Sequence, residues 1–351
     1  MHDRLIADFF AGNKAALARA LSIVENHRPG FEPLLATWHP RLGRARRIGI
    51  TGPPGAGKST LTTGLAKAFR ATGLSVGIIA VDPTSPFTGG ALLGDRIRME
   101  EIALDPGVYI RSLATRGSLG GLSAATRETA DVLDAFGIDR ILIETVGVGQ
   151  SELDVARTAD TSLVVLVPES GDAIQMLKAG LMEIADIFTV NKADRPGADR
   201  LRNEIDVMLG MRSGATMRNV PAHHGVDLSQ NNILLQVRAA ARSDDASHWT
   251  PPVLRTVAVK GEGIEELVTA LDRHFRYLEE SGTLRARRRA RLRERVVEVV
   301  EDKTRRRLWA DAATNQWLEE RLRDLETGAS TPFAIADDLL ARSADLLTRT
   351  S

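Results

Sequence analysis

The stretch Gly52-Pro53-Pro54-Gly55-Ala56-Gly57-Lys58-Ser59-Thr60 decides the fold. It follows a short apolar run at 48–51 and leads into Leu61, Leu65, Ala66 and Phe69, which recur at helical spacing. Strand, glycine-rich loop and helix in that order are the context that G-x-x-x-x-G-K-[ST] requires. The glycines let successive backbone N–H groups converge on phosphate oxygens, and the helix amino terminus adds the positive end of its dipole. In such a loop Lys58 reaches the β- and γ-phosphates, and the Ser59 hydroxyl ligates Mg²⁺.

Outward from this loop, apolar runs at 76–81, 108–110, 141–144, 163–167, 187–190 and 254–259 alternate with helix-period stretches. Runs apolar on both faces and separated by amphipathic helices predict an α/β domain with a mostly parallel sheet covered on both sides. Ligands on such sheets bind beyond the carboxyl ends of the strands. The polar motifs of this chain fall at those ends.

Asn191-Lys192-Ala193-Asp194 closes the run at 187–190. An Asn-Lys-x-Asp there matches a guanine-reading motif: the Asp194 carboxylate accepts from the guanine N1–H and 2-amino group, donors that adenine does not present. A base that leaves such a polar group unpaired is rejected strongly. Glu144-Thr145-Val146-Gly147 closes the run at 141–144, where most small GTPases carry Asp-x-x-Gly. The acid there binds Mg²⁺ through water, and the glycine N–H senses the γ-phosphate. Asp82, at the end of the run at 76–81, and Asp95, within a Gly-rich loop, are further candidates for a metal or water-positioning role. Their alternative roles are as caps of the following turn and helix.

The 351 residues balance 46 Lys and Arg against 46 Asp and Glu, so no global attraction to nucleic acid or an anionic membrane is expected. Cysteine is absent, which removes disulfides, thiolate metal sites and cysteine nucleophiles together. No apolar signal core or bilayer-length apolar run occurs, so a cytoplasmic protein is expected.

Residues 1–46 read as a helical extension, with one or two amphipathic helices over 3–28 broken at Gly12-Asn13 and a connector over 29–46. Residues 47–282 hold the sheet, and 210–232, rich in turn formers, reads as a surface insertion. Residues 283–351 carry apolar stripes on three successive helices, broken at Gly328 and capped near Thr331-Pro332. With no sheet of their own to cover, these helices suggest a twin subunit, hence a homodimerisation arm.

Taken together, these residues resemble the MeaB/ArgK family, which includes the human methylmalonic-aciduria type A protein. The resemblance rests on 52–60, Val81-Asp82-Pro83-Thr84-Ser85, the loop 88–99, the string 144–152 and 191–194, and it covers roughly 5–345. It implies a P-loop NTPase of the SIMIBI type, a GTPase whose GTP/GDP cycle gates adenosylcobalamin loading and protection of a B12-dependent acyl-CoA mutase. The cobalamin belongs to that mutase, methylmalonyl-CoA mutase or a relative, with an adenosyltransferase as a second candidate partner. By motif matching, Ser59, Asp82, Asp95 and Glu144 would surround Mg²⁺ and the attacking water. Asp172, Gln175 and Lys178 fall in a stretch matching a switch that responds to the mutase. Arg96, Arg98 and Lys178 are candidates for the group that stabilises transferring charge. The last guanine loop departs from the family, with Val257-Ala258-Val259 where Ser-Ala-Leu or Ser-Gly-Leu is usual. An Ala258 N–H can still meet guanine O6.

Two other readings share the loop. A nickel metallochaperone of the same fold needs Cys or His at metal spacing, and His223-His224 is the only close pair. A kinase, the label ArgK-type chains have carried, needs a phosphoacceptor site that nothing here supplies. The arginines of 285–295 and 305–307 interleave with Glu294, Glu298, Glu301 and Asp302, as on a solvated helix face rather than a nucleic-acid groove.

Overall fold

In the computed structural model, residues 3–82, 99–114, 124–145, 151–169, 180–212 and 248–343 are described. They divide into two compact units, 1–285 and 286–351. Among the described residues, no helix is long and apolar enough to cross a membrane.

Three helices open the first unit: α1 (Asp3–Phe10), α2 (Lys14–Glu25) and α3 (Phe31–Trp38). The expected break at Gly12-Asn13 is a cap, with the Asn13 side chain accepting from the N–H groups of Ala15 and Ala16. The stretch expected as a plain connector instead contains α3. Gly30, in the left-handed region, starts that helix, and Leu34 and Trp38, four residues apart, bury one face of it.

The sheet then builds from β1 (Arg46–Thr51), α4 (Lys58–Ala71), β2 (Val76–Asp82), β3 (Val108–Ala114), α5 (Ala124–Phe136), β4 (Arg140–Glu144), α6 (Ser151–Thr158), β5 (Thr161–Leu166), β6 (Ile187–Val190), α7 (Ala198–Arg212) and β7 (Val253–Arg255). The helix α8 (Ile264–Glu280) completes this unit. All pairings are parallel, in the order β3-β2-β4-β1-β5-β6-β7. The parallel sheet predicted from the apolar runs is therefore present. Its last strand is shorter than expected, because the chain leaves β7 at Arg255 and curls into a 3₁₀ turn at Ala258–Lys260, with Gly261 left-handed. Helix α7 runs through Gly210 to Arg212, so the start of the expected insertion is helical; 213–247 lie outside the described residues.

Adjacent residues of one strand feed opposite cores, as a pleat covered on both sides requires. Ile78 and Leu142 pack with Leu61, Leu65 and Phe69 of α4 and Leu267 of α8. Ile79, Ile141 and Ile143 pack with Leu133 of α5, Val155 of α6, and Leu17, Leu21 and Trp38 of the amino-terminal helices. The amino-terminal helices thus share a core with the sheet. Phe9 stacks on Trp38 at 4.7 Å between ring centroids and meets Phe136 edge-on at 5.1 Å.

A charged joint carries the chain from these helices into β1. The buried Asp134 carboxylate accepts the N–H groups of Gly43, Arg44 and Ala45 at 2.9, 3.1 and 2.9 Å. It also takes a hydrogen bond from Arg47, which reaches Asp131 as well, both at 2.9 Å. Burial disfavours the Arg47 charge, but Asp131, Asp134 and Asp160 outweigh it and hold the guanidinium above its ordinary pKa.

The second unit comprises most of α9 (Thr283–Ala310), with α10 (Ala312–Glu326) and α11 (Pro332–Arg342). Asp311 caps α10, and Thr331 caps α11 with Pro332 in its first turn.

Candidate functional site

The phosphate loop joins β1 to α4 in the middle of the sheet, flanked by β4 and β5. Gly52 leaves β1 at φ +138°, and a Cβ there would lie 2.0 Å from the Val165 carbonyl oxygen. Only glycine fits so close to the neighbouring strand. Pro53 is buried, Pro54 and Gly55 are exposed, and Ala56 returns the chain to the interior, its N–H donating to the Pro53 carbonyl. Gly57, at φ +83°, caps α4 without a side-chain bond to the helix's first N–H groups. That is the arrangement by which a helix amino terminus receives an anion.

Lys58 is buried, and its Nζ donates to the carbonyls of Gly52 at 2.9 Å and Pro53 at 3.0 Å. The ammonium is thereby held across the loop. Ser59 Oγ donates to Glu144 Oε1 at 2.6 Å, joining the start of α4 to the end of β4. Thr60 follows, half-buried. Thr145, next to Glu144, is tied back to β1: its N–H donates to the Ile50 carbonyl and its hydroxyl to Thr51 Oγ1, both at 3.1 Å.

The base motif leaves β6 beside the loop. Asn191 is buried; its Nδ2 donates to the Ala56 carbonyl at 2.8 Å, and its Oδ1 accepts from Thr256 Oγ1 at 3.2 Å and the Ala258 N–H at 3.1 Å. Lys192 adopts the left-handed region at φ +55°, an uncommon backbone for a residue with a Cβ. Asp194 is exposed, with Lys260 Nζ 3.6 Å from its carboxylate. Of the last loop, Val257 is buried, Ala258 half-buried and Val259 exposed. The Ala258 N–H, expected to meet a guanine O6, is held by Asn191 in this structure. Arg195 pairs with Glu169, and that hydrogen bond holds the Glu169 carboxyl below the usual carboxylate range.

Glu144, Ser59 and Lys58 therefore meet at one end of the sheet, with Asn191 linking the loop at Ala56 to Thr256 and Ala258. Asp82 ends β2, two residues past Ala80, the register partner of Glu144. Asp95, Gly147, Asp172, Gln175 and Lys178 lie outside the described residues, as do Arg96, Arg98 and His223-His224. Thr256 and Thr51 are contributors that the motifs did not single out, and Thr145 is a motif position to which no role was given. Their signal in the sequence is faint: a threonine beside or within a motif.

Comparison with known proteins shows the family to which the chain is similar. Residues 17–313 match the family described as methylmalonyl-CoA mutase-associated GTPase MeaB. A relative from Pyrococcus abyssi is 44% identical over 340 residues, spanning 97% of this chain and 96% of its own. The mouse protein named methylmalonic aciduria type A homolog, mitochondrial, is 31% identical over 352 residues, spanning 96% and 78%. A crystal structure titled LAO/AO transport system kinase superposes with a TM-score of 0.64 at 26% identity, covering 96% of this chain and 95% of that one.

Proposed function

This chain belongs to the MeaB family of GTPases, and from that premise we propose that its GTP cycle gates adenosylcobalamin loading and protection of a B12-dependent acyl-CoA mutase. The observation that carries the nucleotide half is the Asn191 side chain, which bonds the phosphate loop at Ala56 and the base loop at Ala258 at once. The mutase half is supported by the family description and by the resemblance of the mouse relative.

In this reading the loop 52–60 binds the phosphates through its backbone N–H groups, and Lys58 sets positive charge against the β- and γ-oxygens. Asp194 reads the base edge. To present its N–H to guanine O6, Ala258 shares or gives up its bond to Asn191. Val259, exposed on the same turn, offers an apolar contact to the base. Gly147 senses the γ-phosphate, and Asp172, Gln175 and Lys178 pass its state to the mutase.

Ser59 and Glu144 suit Mg²⁺: they are two buried oxygen donors 2.6 Å apart, the hard-ligand type this ion prefers. Asp82 and Asp95 would complete its surroundings. The ion, when bound, would neutralise charge building on the transferring phosphate. A cytoplasmic location belongs to the same reading, with the mutase as chief partner and an adenosyltransferase as a second.

The second unit is proposed as a dimerisation arm. Leu292, Val296, Val299 and Val300 of α9 recur at helical spacing and are exposed, with Val296 at 64%. Such a stripe, on a unit whose described residues form no sheet, suits burial against its own copy.

The test is GTP hydrolysis by the purified protein, alone and with several purified B12-dependent mutases. Stimulation by one mutase is expected. Rates unchanged by every mutase would overturn the coupling while leaving the GTPase intact. Thiophosphate transfer to a second protein rather than to water would favour a kinase instead.

A further inference from the structure

Thr62 is wholly buried in α4, one turn beyond Lys58. Its Oγ1 lies 2.9 Å from the Lys58 carbonyl and 3.0 Å from Glu144 Oε2. Glu144 Oε1 meets Ser59 Oγ at 2.6 Å. Both oxygens of one buried carboxylate thus face hydroxyls three residues apart on a single helix face.

The ordinary role of a buried helical threonine is to return its hydroxyl to the carbonyl four residues back. Thr63 does only that among its hydrogen bonds, donating to the Ser59 carbonyl at 3.0 Å. Thr62 does the same and also reaches the acid. A hydroxyl has one proton to give, so Thr62 divides it between the Lys58 carbonyl and Glu144. Glutamate is one methylene longer than the aspartate usual at this strand end, and that length brings its second oxygen to the second turn of α4.

We propose that Thr62 is a positioning residue for Glu144, holding the carboxylate from α4 when Ser59 turns from Glu144 toward Mg²⁺. This rests on the Mg²⁺–GTP reading above. With the Ser59 hydroxyl withdrawn, the Thr62 hydroxyl still ties Glu144 to α4. A hydroxyl serving a carboxylate contributes more than one serving a neutral carbonyl. Its loss therefore registers in Mg²⁺ dependence rather than in nucleotide recognition.

The experiment uses the full chain and reads release of a fluorescent GDP analogue against Mg²⁺ concentration, with GTP turnover alongside. Thr62→Val keeps shape and removes the hydroxyl, Thr62→Ser restores the hydroxyl, and Thr63→Val removes a back-bond alone. Thr62→Val is expected to raise the Mg²⁺ midpoint roughly tenfold and lower kcat, with KM for GTP changed less than about threefold. Thr62→Ser and Thr63→Val stay within about threefold of wild type in both. Thr62→Ala, which opens a cavity instead of adding a methyl contact, shows the same midpoint shift. A Thr62→Val midpoint within twofold of wild type, or equal shifts in the Thr62 and Thr63 valine variants, would overturn the assignment. A wild-type protein whose GDP release ignores Mg²⁺ overturns the parent reading, and this assignment with it.

Discussion

Asn191 Nδ2 donates to the Ala56 carbonyl at 2.8 Å, so the first residue of the base motif also fixes the floor of the phosphate loop. A Cβ on Gly57 would lie 2.5 Å from that same Nδ2, so the glycine leaves room for this bond. One side chain thus ties the loop 52–60 to the segment 256–258.

Replacing Asn191 with alanine removes a partner from the buried Ala56 carbonyl, from the half-buried Ala258 N–H and from the Thr256 hydroxyl, which keeps Thr189 Oγ1 at 3.1 Å. Buried polar groups left unpaired cost about 1–3 kcal/mol each, partly recovered by relaxation and water. Affinities for GTP and GDP are expected to fall together, roughly 10- to 100-fold, in fluorescent-nucleotide titrations. A loss confined to GTP would place Asn191 at the γ-phosphate instead.

Gly52→Ala tests the joint between β1 and β5. The new Cβ would sit 2.0 Å from the Val165 carbonyl, at a φ unfavourable for any L-residue. Backbone strain and overpacking together predict a loss of about 3 kcal/mol or more in urea unfolding. A variant as stable as wild type would show that the loop and β5 do not approach so closely.

Asp134→Ala removes the acceptor for three backbone N–H groups and leaves the half-buried Arg47 with less compensation. Breaking a buried charged pair costs about 3–5 kcal/mol. Urea unfolding should show a loss of that size, with the amino-terminal helices loosened first in hydrogen exchange. A loss below about 1 kcal/mol would mean that the joint contributes little.

The phosphate loop, the acid of β4 and the base motif were legible because each needs particular residue types at fixed spacing beside a strand end. The parallel sheet was legible because a strand covered on both faces is apolar throughout. Helix α3 was hidden by Pro29, Gly30 and Pro40, which read as punctuation, although Leu34 and Trp38 carry its buried face. The turn at 258–260 was hidden because Val257 and Val259 favour strands, whereas Gly261 and the bridge between Val257 and Glu262 bend the chain. Thr62 was silent, since a threonine inside a buried helix has no spacing to betray it.

Val296→Glu with Val300→Glu places two charges on the exposed stripe of α9. The wild type is expected to sediment as a dimer and the double variant as a monomer of equal melting temperature. A variant that stays dimeric would move the interface elsewhere.

The central claim, that this site reads guanine and hydrolyses GTP, is tested most directly by phosphate release from GTP, ATP and xanthosine triphosphate with wild type and Asp194→Asn. An asparagine amide can donate to the 2-oxo group of xanthine, while its single carbonyl cannot replace both bonds to guanine. Wild type should prefer GTP over ATP by roughly a hundredfold or more in kcat/KM, and Asp194→Asn should exchange that preference for xanthosine triphosphate. Hydrolysis of ATP within a few-fold of GTP, or an Asp194→Asn enzyme that still prefers GTP, would contradict it.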